Sequence, residues 1–101
     1  MIVVRNVFRI KFGQAREAIA AWKEGLGIAE KAGLIRGNAR LLTDLAGVDF
    51  YTLVVEMTHD SLGDMERSTR TMMENPDWRK WYPRFTALAE GGHREVLSVV
   101  E

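Results

Sequence analysis

Positions 1–12 alternate between apolar and polar over most of their length. Ile2, Val4, Phe8, Ile10 and Phe12 share one parity; Arg5, Arg9 and Lys11 share the other, with Val3 and Val7 among them. Side chains alternate across a strand, so the pattern predicts a strand over 1–12 with the Ile2/Val4/Phe8 face against a core. Asn6 has the parity of Phe8 and interrupts the apolar row. A buried amide without partners costs about 1–3 kcal/mol, so Asn6 is either a structural amide bonded in the core or a group kept for a ligand.

Gly13 opens a turn, after which Ala15, Ile19, Trp22, Leu26 and Ala29 recur at helical spacing, predicting a helix over 14–32. Gly25 and Gly27 each weaken that helix by about 1 kcal/mol relative to alanine and mark either close packing on the sheet or a bend. Gly33 is placed to be its left-handed C-terminal cap. A second strand is predicted over 35–45, best from Asn38, where Ala39, Leu41, Thr43 and Leu45 alternate with Arg40, Leu42 and Asp44. The turn A-G-V-D at 46–49 leads into F-Y-T-L-V-V-E-M-T at 50–58, the strongest β run of the chain. Two such runs joined by a short glycine-containing turn predict a hairpin.

Ser61 is a good N-cap for a second helix, with Asp64 three residues on. Leu62, Met65, Thr69, Met72 and Met73 form its apolar stripe. Asn75-Pro76 interrupts the helix, since the residue before proline avoids the helical region, and Asn75 can cap a further segment that Pro76 starts. Trp78, Trp81, Phe85 and Leu88 then recur at helical spacing, with Pro83 predicting a kink or break after Tyr82. Gly91-Gly92 reads as a stop before a terminal strand over 93–101.

The order β-α-β-β-α-β predicts a ferredoxin-like α+β fold, a single domain over 1–101 with an antiparallel sheet and helices on one face. Val3, Arg5, Val7, Arg9 and Lys11 then lie on the other face. The third and fourth strand runs are apolar on both parities, and a sheet apolar on both faces is usually covered on both. No second helical layer is left to do this. A homodimer joined through the open sheet face is therefore expected, a twofold dimer being the commonest form.

Composition narrows the partners. Fourteen Lys plus Arg balance fourteen Asp plus Glu, so neither nucleic acid nor an anionic membrane is expected. There is no cysteine, which excludes disulfides, thiol catalysis and iron–sulfur ligation. The chain enters a strand pattern at once, with no signal-type segment and no run approaching the roughly 20 apolar residues that span a bilayer. A cytoplasmic protein is the expectation. No G-x-G-x-x-G or P-loop pattern occurs, and no cofactor is expected.

The β-α-β-β-α-β order, the R-L-L-T-D-L-A-G-V-D-F-Y-T-L-V-V-E hairpin at 40–56 and the N-P-D-W-R-K-W-Y segment at 75–82 resemble the dimeric α+β barrel superfamily. Within it, the chain is most similar to the NIPSNAP-type small proteins. Antibiotic-biosynthesis monooxygenases and haem-degrading monooxygenases are more distant neighbours. The superfamily holds enzymes, regulators and proteins of unknown role, so the resemblance implies the fold more than an activity. It implies a pocket between sheet and helices, with an asparagine on the first strand, matched by Asn6, and a tryptophan on the second helical region, matched by Trp78 or Trp81. The haem-degrading relatives place a histidine on that region. Residues 61–90 contain none, so haem is not expected.

The candidate ligand pocket is Asn6, Phe8, Trp22, Met72, Trp78, Trp81 and Tyr82, an apolar lining with a few polar groups suited to an apolar or aromatic small molecule. Large aromatics and methionines at helical spacing equally make plain core, most of all Trp22 and Phe85. Asn6, Trp78 and Tyr82 are the candidate catalytic residues, Asn6 as a positioned amide for a substrate oxygen. His59 and His93 are candidate general acids or bases but have no carboxylate or third ligand at a telling spacing, so no metal site is expected. Arg5 and Arg9 either pair with Glu56 and Glu95 or bind an anion. Two functions follow: a small dimeric binding protein, or a cofactor-independent monooxygenase acting on an electron-rich aromatic.

Overall fold

The computed structural model describes every residue, Met1–Glu101. Its elements are β1 (Ile2–Ile10), α1 (Ala15–Lys31), β2 (Ala39–Thr43), β3 (Thr52–His59), α2 (Leu62–Glu74), α3 (Pro76–Thr86) and β4 (Ala89–Ser98). The strands form one antiparallel sheet in the order β2-β3-β1-β4, the ferredoxin-like arrangement. No helix is long and apolar enough to cross a membrane.

β1 occupies the middle of the sheet, paired with β3 along one edge and β4 along the other. Val4 faces Met57 and Val96, Asn6 faces Val55 and Arg94, and Phe8 faces Leu53 and Gly92. That face meets the helices: Ile10, Leu53 and Val55 pack with Ala18 and Trp22 of α1 and with Trp81 and Phe85 of α3. A smaller cluster, Ala29, Ile35 and Met72, closes the far end under α2. Arg5, Val7, Arg9, Val54, Glu56 and His93 share the opposite face, which no element of the chain covers.

Local signals account for the helix ends. Ser61 accepts the Asp64 N–H at 3.2 Å, and Asn75 accepts from Asp77 and Trp78 at 2.9 and 3.0 Å. Gly33, at φ +76°, follows α1, and its N–H donates to Glu30 while that of Leu34 donates to Ala29.

Several expectations are corrected. β1 stops at Ile10, and Phe12 is 72% exposed, edge-on to Tyr51 at 5.1 Å. The β2–β3 connection is longer than the turn at 46–49: Leu45, Val48 and Phe50 are exposed, Thr52 starts β3, and Tyr51 takes φ +57°. Only Met72 of the α2 stripe is buried, Leu62 and Met73 lying exposed, because α2 packs chiefly against α3 and a single strand, β3. α3 runs unbroken through Pro83. The burial of Trp81 and Phe85 on either side outweighs the one hydrogen bond proline removes. β4 begins at Ala89 and includes Gly91 and Gly92. The glycines do not stop a helix: a Cβ on Gly92 would overlap the Val7 carbonyl oxygen, so close strand approach requires glycine there.

Candidate functional site

The sequence places the candidate site between sheet and helices, and aromatic rings fill that space. Trp22, Trp81 and Phe85 are fully buried. Trp22 meets Trp81 edge-on at 4.7 Å and Phe85 at 5.3 Å, and Phe8 meets Phe85 edge-on at 4.8 Å, the geometry that aligns ring edges with ring faces. Trp78 continues the cluster outward to Tyr82, at 6.3 Å from it and 41% exposed. Met72 belongs to the smaller cluster, which Trp78 also touches.

Polar groups in this layer behave differently from one another. The Trp81 indole N–H donates to the Ala21 carbonyl at 2.8 Å, tying α3 to α1. The Trp22 indole N–H is buried with no acceptor. Asn6 accepts a hydrogen bond from Arg94 Nε at 2.7 Å. The structure therefore brings Phe8, Trp22, Trp78, Trp81 and Tyr82 into one ring cluster, with Met72 at its margin, while Asn6 is engaged with β4 rather than with Trp78 or Tyr82.

The open sheet face carries both charge and free space. Glu56, 12% exposed at its side chain, accepts from Arg5 Nε at 3.2 Å and from Arg40 at 2.9 Å. Arg9 comes no closer than 3.9 Å to its carboxylate neighbour Glu90, and His93 lies 3.9 Å from Glu95. Beside Arg9 opens a cavity of about 600 Å³, walled by Val7, Leu42, Val54, Gly91, His93 and the β2–β3 connection. Gly91 faces Arg9 across the ladder, and nothing lies within 4 Å of where its Cβ would stand. The volume falls in the range of about 300–1,000 Å³ typical of small-molecule sites. Parity puts Arg9 on the face opposite Phe8; that His93 shares this face and meets Arg9 at one cavity follows from the β1–β4 register, which a single strand does not reveal.

A second cavity, about 460 Å³, lies at the other end of the sheet among Arg36, Asn38, His59, Asp60, Asp64 and Arg67. Arg67 and Asp64 are engaged with each other there. No three His, Asp or Glu side chains converge in a group able to hold a metal.

No family model and no curated protein matches the sequence. Solved structures do. A NIPSNAP family protein from Agrobacterium tumefaciens superposes with a TM-score of 0.87 at 22% identity, over 99% of this chain and 93% of the other. The chain has the fold of the NIPSNAP proteins. A NIPSNAP domain protein from Burkholderia xenovorans gives a TM-score of 0.83 at 22% identity, over 99% and 95% of the two chains. A candidate antibiotic biosynthesis monooxygenase from Nitrosomonas europaea gives 0.71 at 10% identity over the whole of both. The NIPSNAP likeness thus spans sheet and helices from end to end, and the site rests on the residues present here.

Proposed function

We propose that this NIPSNAP-fold protein is a homodimeric small-molecule-binding protein, its open sheet faces apposed and its ligand held in the chamber beside Arg9. The observation that carries the reading is a sheet apolar on both faces but covered on one. Val3, Val7, Leu42, Val54 and Leu97 lie on the uncovered side. The molecule is a slab of 36 × 35 × 20 Å, and a two-layer fold is thin across its layers, so the open sheet is one of the broad faces. Such a face exceeds the roughly 800 Å² per partner of a standard interface. A second copy laid on it would roof the chamber and exclude water from it.

Native mass spectrometry of gently purified protein tests this. A dimer carrying an additional small-molecule mass supports the reading. A monomer, or a dimer that takes up no small molecule from a mixed apolar and aromatic library, contradicts it.

A second reading keeps the ligand between sheet and helices. Its support is the unpaired Trp22 N–H, a buried donor of a kind that is seldom left without an acceptor. On that reading the protein is a cofactor-independent monooxygenase. Asn6, Trp78 and Tyr82 would orient an electron-rich aromatic whose own electrons reduce dioxygen, one oxygen atom entering the substrate and the other leaving as water. It requires the packed rings to part, and so it stands second. Oxygen uptake with added hydroxylated aromatics, in wild type against Asn6→Ala, tests it.

A further inference from the structure

Resting on the chamber reading, we infer that the chamber's ligand is an amphiphilic monocarboxylate, its anionic group on Arg9 and its apolar body along Val7, Val54 and Leu42. The three arginines of the open face are not equivalent. Arg5 and Arg40 both lie within hydrogen-bond reach of Glu56, at 3.2 and 2.9 Å, and are matched to it. Arg9 has only a long approach, 3.9 Å, to a half-exposed Glu90. Its planar guanidinium therefore retains the paired donors that suit a carboxylate. Two aspartates stand at the rim: the Asp44 carboxylate accepts the Thr52 N–H at 2.8 Å, and Asp49 accepts the Thr52 hydroxyl through its backbone carbonyl at 3.2 Å.

Gly91 leaves open space beside Arg9. Its ladder partner is Arg9, its missing side chain would lie on the open face, and nothing stands within 4 Å of the Cβ position. Gly91 is also free of any left-handed backbone requirement, its φ being absent from the positive values, which occur at Gly13, Gly33 and Gly37. Backbone geometry thus leaves the position open to a side chain, and the vacancy serves the cavity. His93, one pair further along the same face, places an imidazole N–H donor at the same end. A cation without a close counter-ion, an empty neighbour and an apolar floor specify an anionic head with a short apolar body.

The test is calorimetric titration of the full-length protein with decanoate and with decanamide, its uncharged counterpart. Wild type is expected to bind decanoate about tenfold or more tightly than the amide, the weight of a charge-assisted pair. Arg9→Gln should remove that preference, weakening decanoate binding by more than it weakens decanamide binding. Gly91→Phe should block both ligands, with circular dichroism checking that the variant folds; Arg9→Gln, at an exposed side chain, stands as the independent variant. Equal binding of acid and amide by wild type overturns the carboxylate inference and leaves the chamber in place. Binding of neither ligand overturns both, as does binding by folded Gly91→Phe at wild-type strength.

Discussion

A Cβ on Gly25 would stand 2.5 Å from Cζ2 of Trp81, so α1 and α3 meet where a helix residue has no side chain. Gly25 is fully within the helix interface, whereas nothing lies within 4 Å of the Cβ position at Gly27. The two glycines therefore answer oppositely to the same change. Gly27→Ala should stabilise by about 0.5–1 kcal/mol through helix propensity. Gly25→Ala gains the same propensity but meets an overpacking cost of about 1–3 kcal/mol, and a net loss is expected. Urea denaturation of the pair checks this; equal stabilisation of both would refute the contact.

The two buried tryptophans separate by their hydrogen bonds. Trp81 donates to Ala21 at 2.8 Å, and Trp22 donates to nothing. Replacing either indole by phenyl removes similar packing, but only Trp81→Phe also removes a hydrogen bond. Trp81→Phe should be the more destabilising by about 1 kcal/mol, and equal losses in chemical denaturation would refute this.

Much of this was legible in local pattern. The alternation of β1, the caps at Ser61 and Asn75 and the glycine after α1 depend on near neighbours in sequence, and they stand where the pattern puts them. What parity and periodicity do not carry is depth and reach. The same 3.6-residue spacing describes Trp81, fully buried, and Leu62, exposed, because which stripe meets the sheet depends on where the helix is set down. The glycine pair in β4 looks like punctuation until the register shows Gly92 pressed on Val7 and Gly91 opposite Arg9. For the same reason the rings expected to line a pocket are found packed on one another, and the cavity beside Arg9 draws on all four strands and a connection.

Asn75 ends one helix and starts the next. Its side chain satisfies the N–H groups of Asp77 and Trp78, both otherwise unpaired at the start of α3. Asn75→Ala should cost about 1 kcal/mol, and Asn75→Asp should retain most of the stability, because aspartate caps as well. Thermal unfolding of both variants reads the difference; a stable alanine variant would show that the cap contributes nothing.

Glu56 holds two arginines from neighbouring strands, Arg5 on β1 and Arg40 on β2, at the centre of the open face. Glu56→Gln leaves Arg40 without its counter-charge and Arg5 with only Glu95, 4.0 Å away, and should destabilise by about 1 kcal/mol, more than Arg40→Gln, which leaves Glu56 paired to Arg5. The loss should shrink as salt is raised, since screening weakens such partly exposed pairs. A salt-independent loss would point to packing rather than charge.

Sedimentation velocity over a wide concentration range, on wild type and Val54→Asp, bears most directly on the covered sheet face. Val54 lies on the open side, opposite Val7 and Leu42 and away from the helix-side core, so the substitution leaves that core intact. Wild type should sediment at twice the 11.5 kDa mass of the chain, and Val54→Asp as a folded monomer. A wild-type monomer at every concentration, or a dimer that Val54→Asp leaves undisturbed, would contradict the apposition of the two sheets.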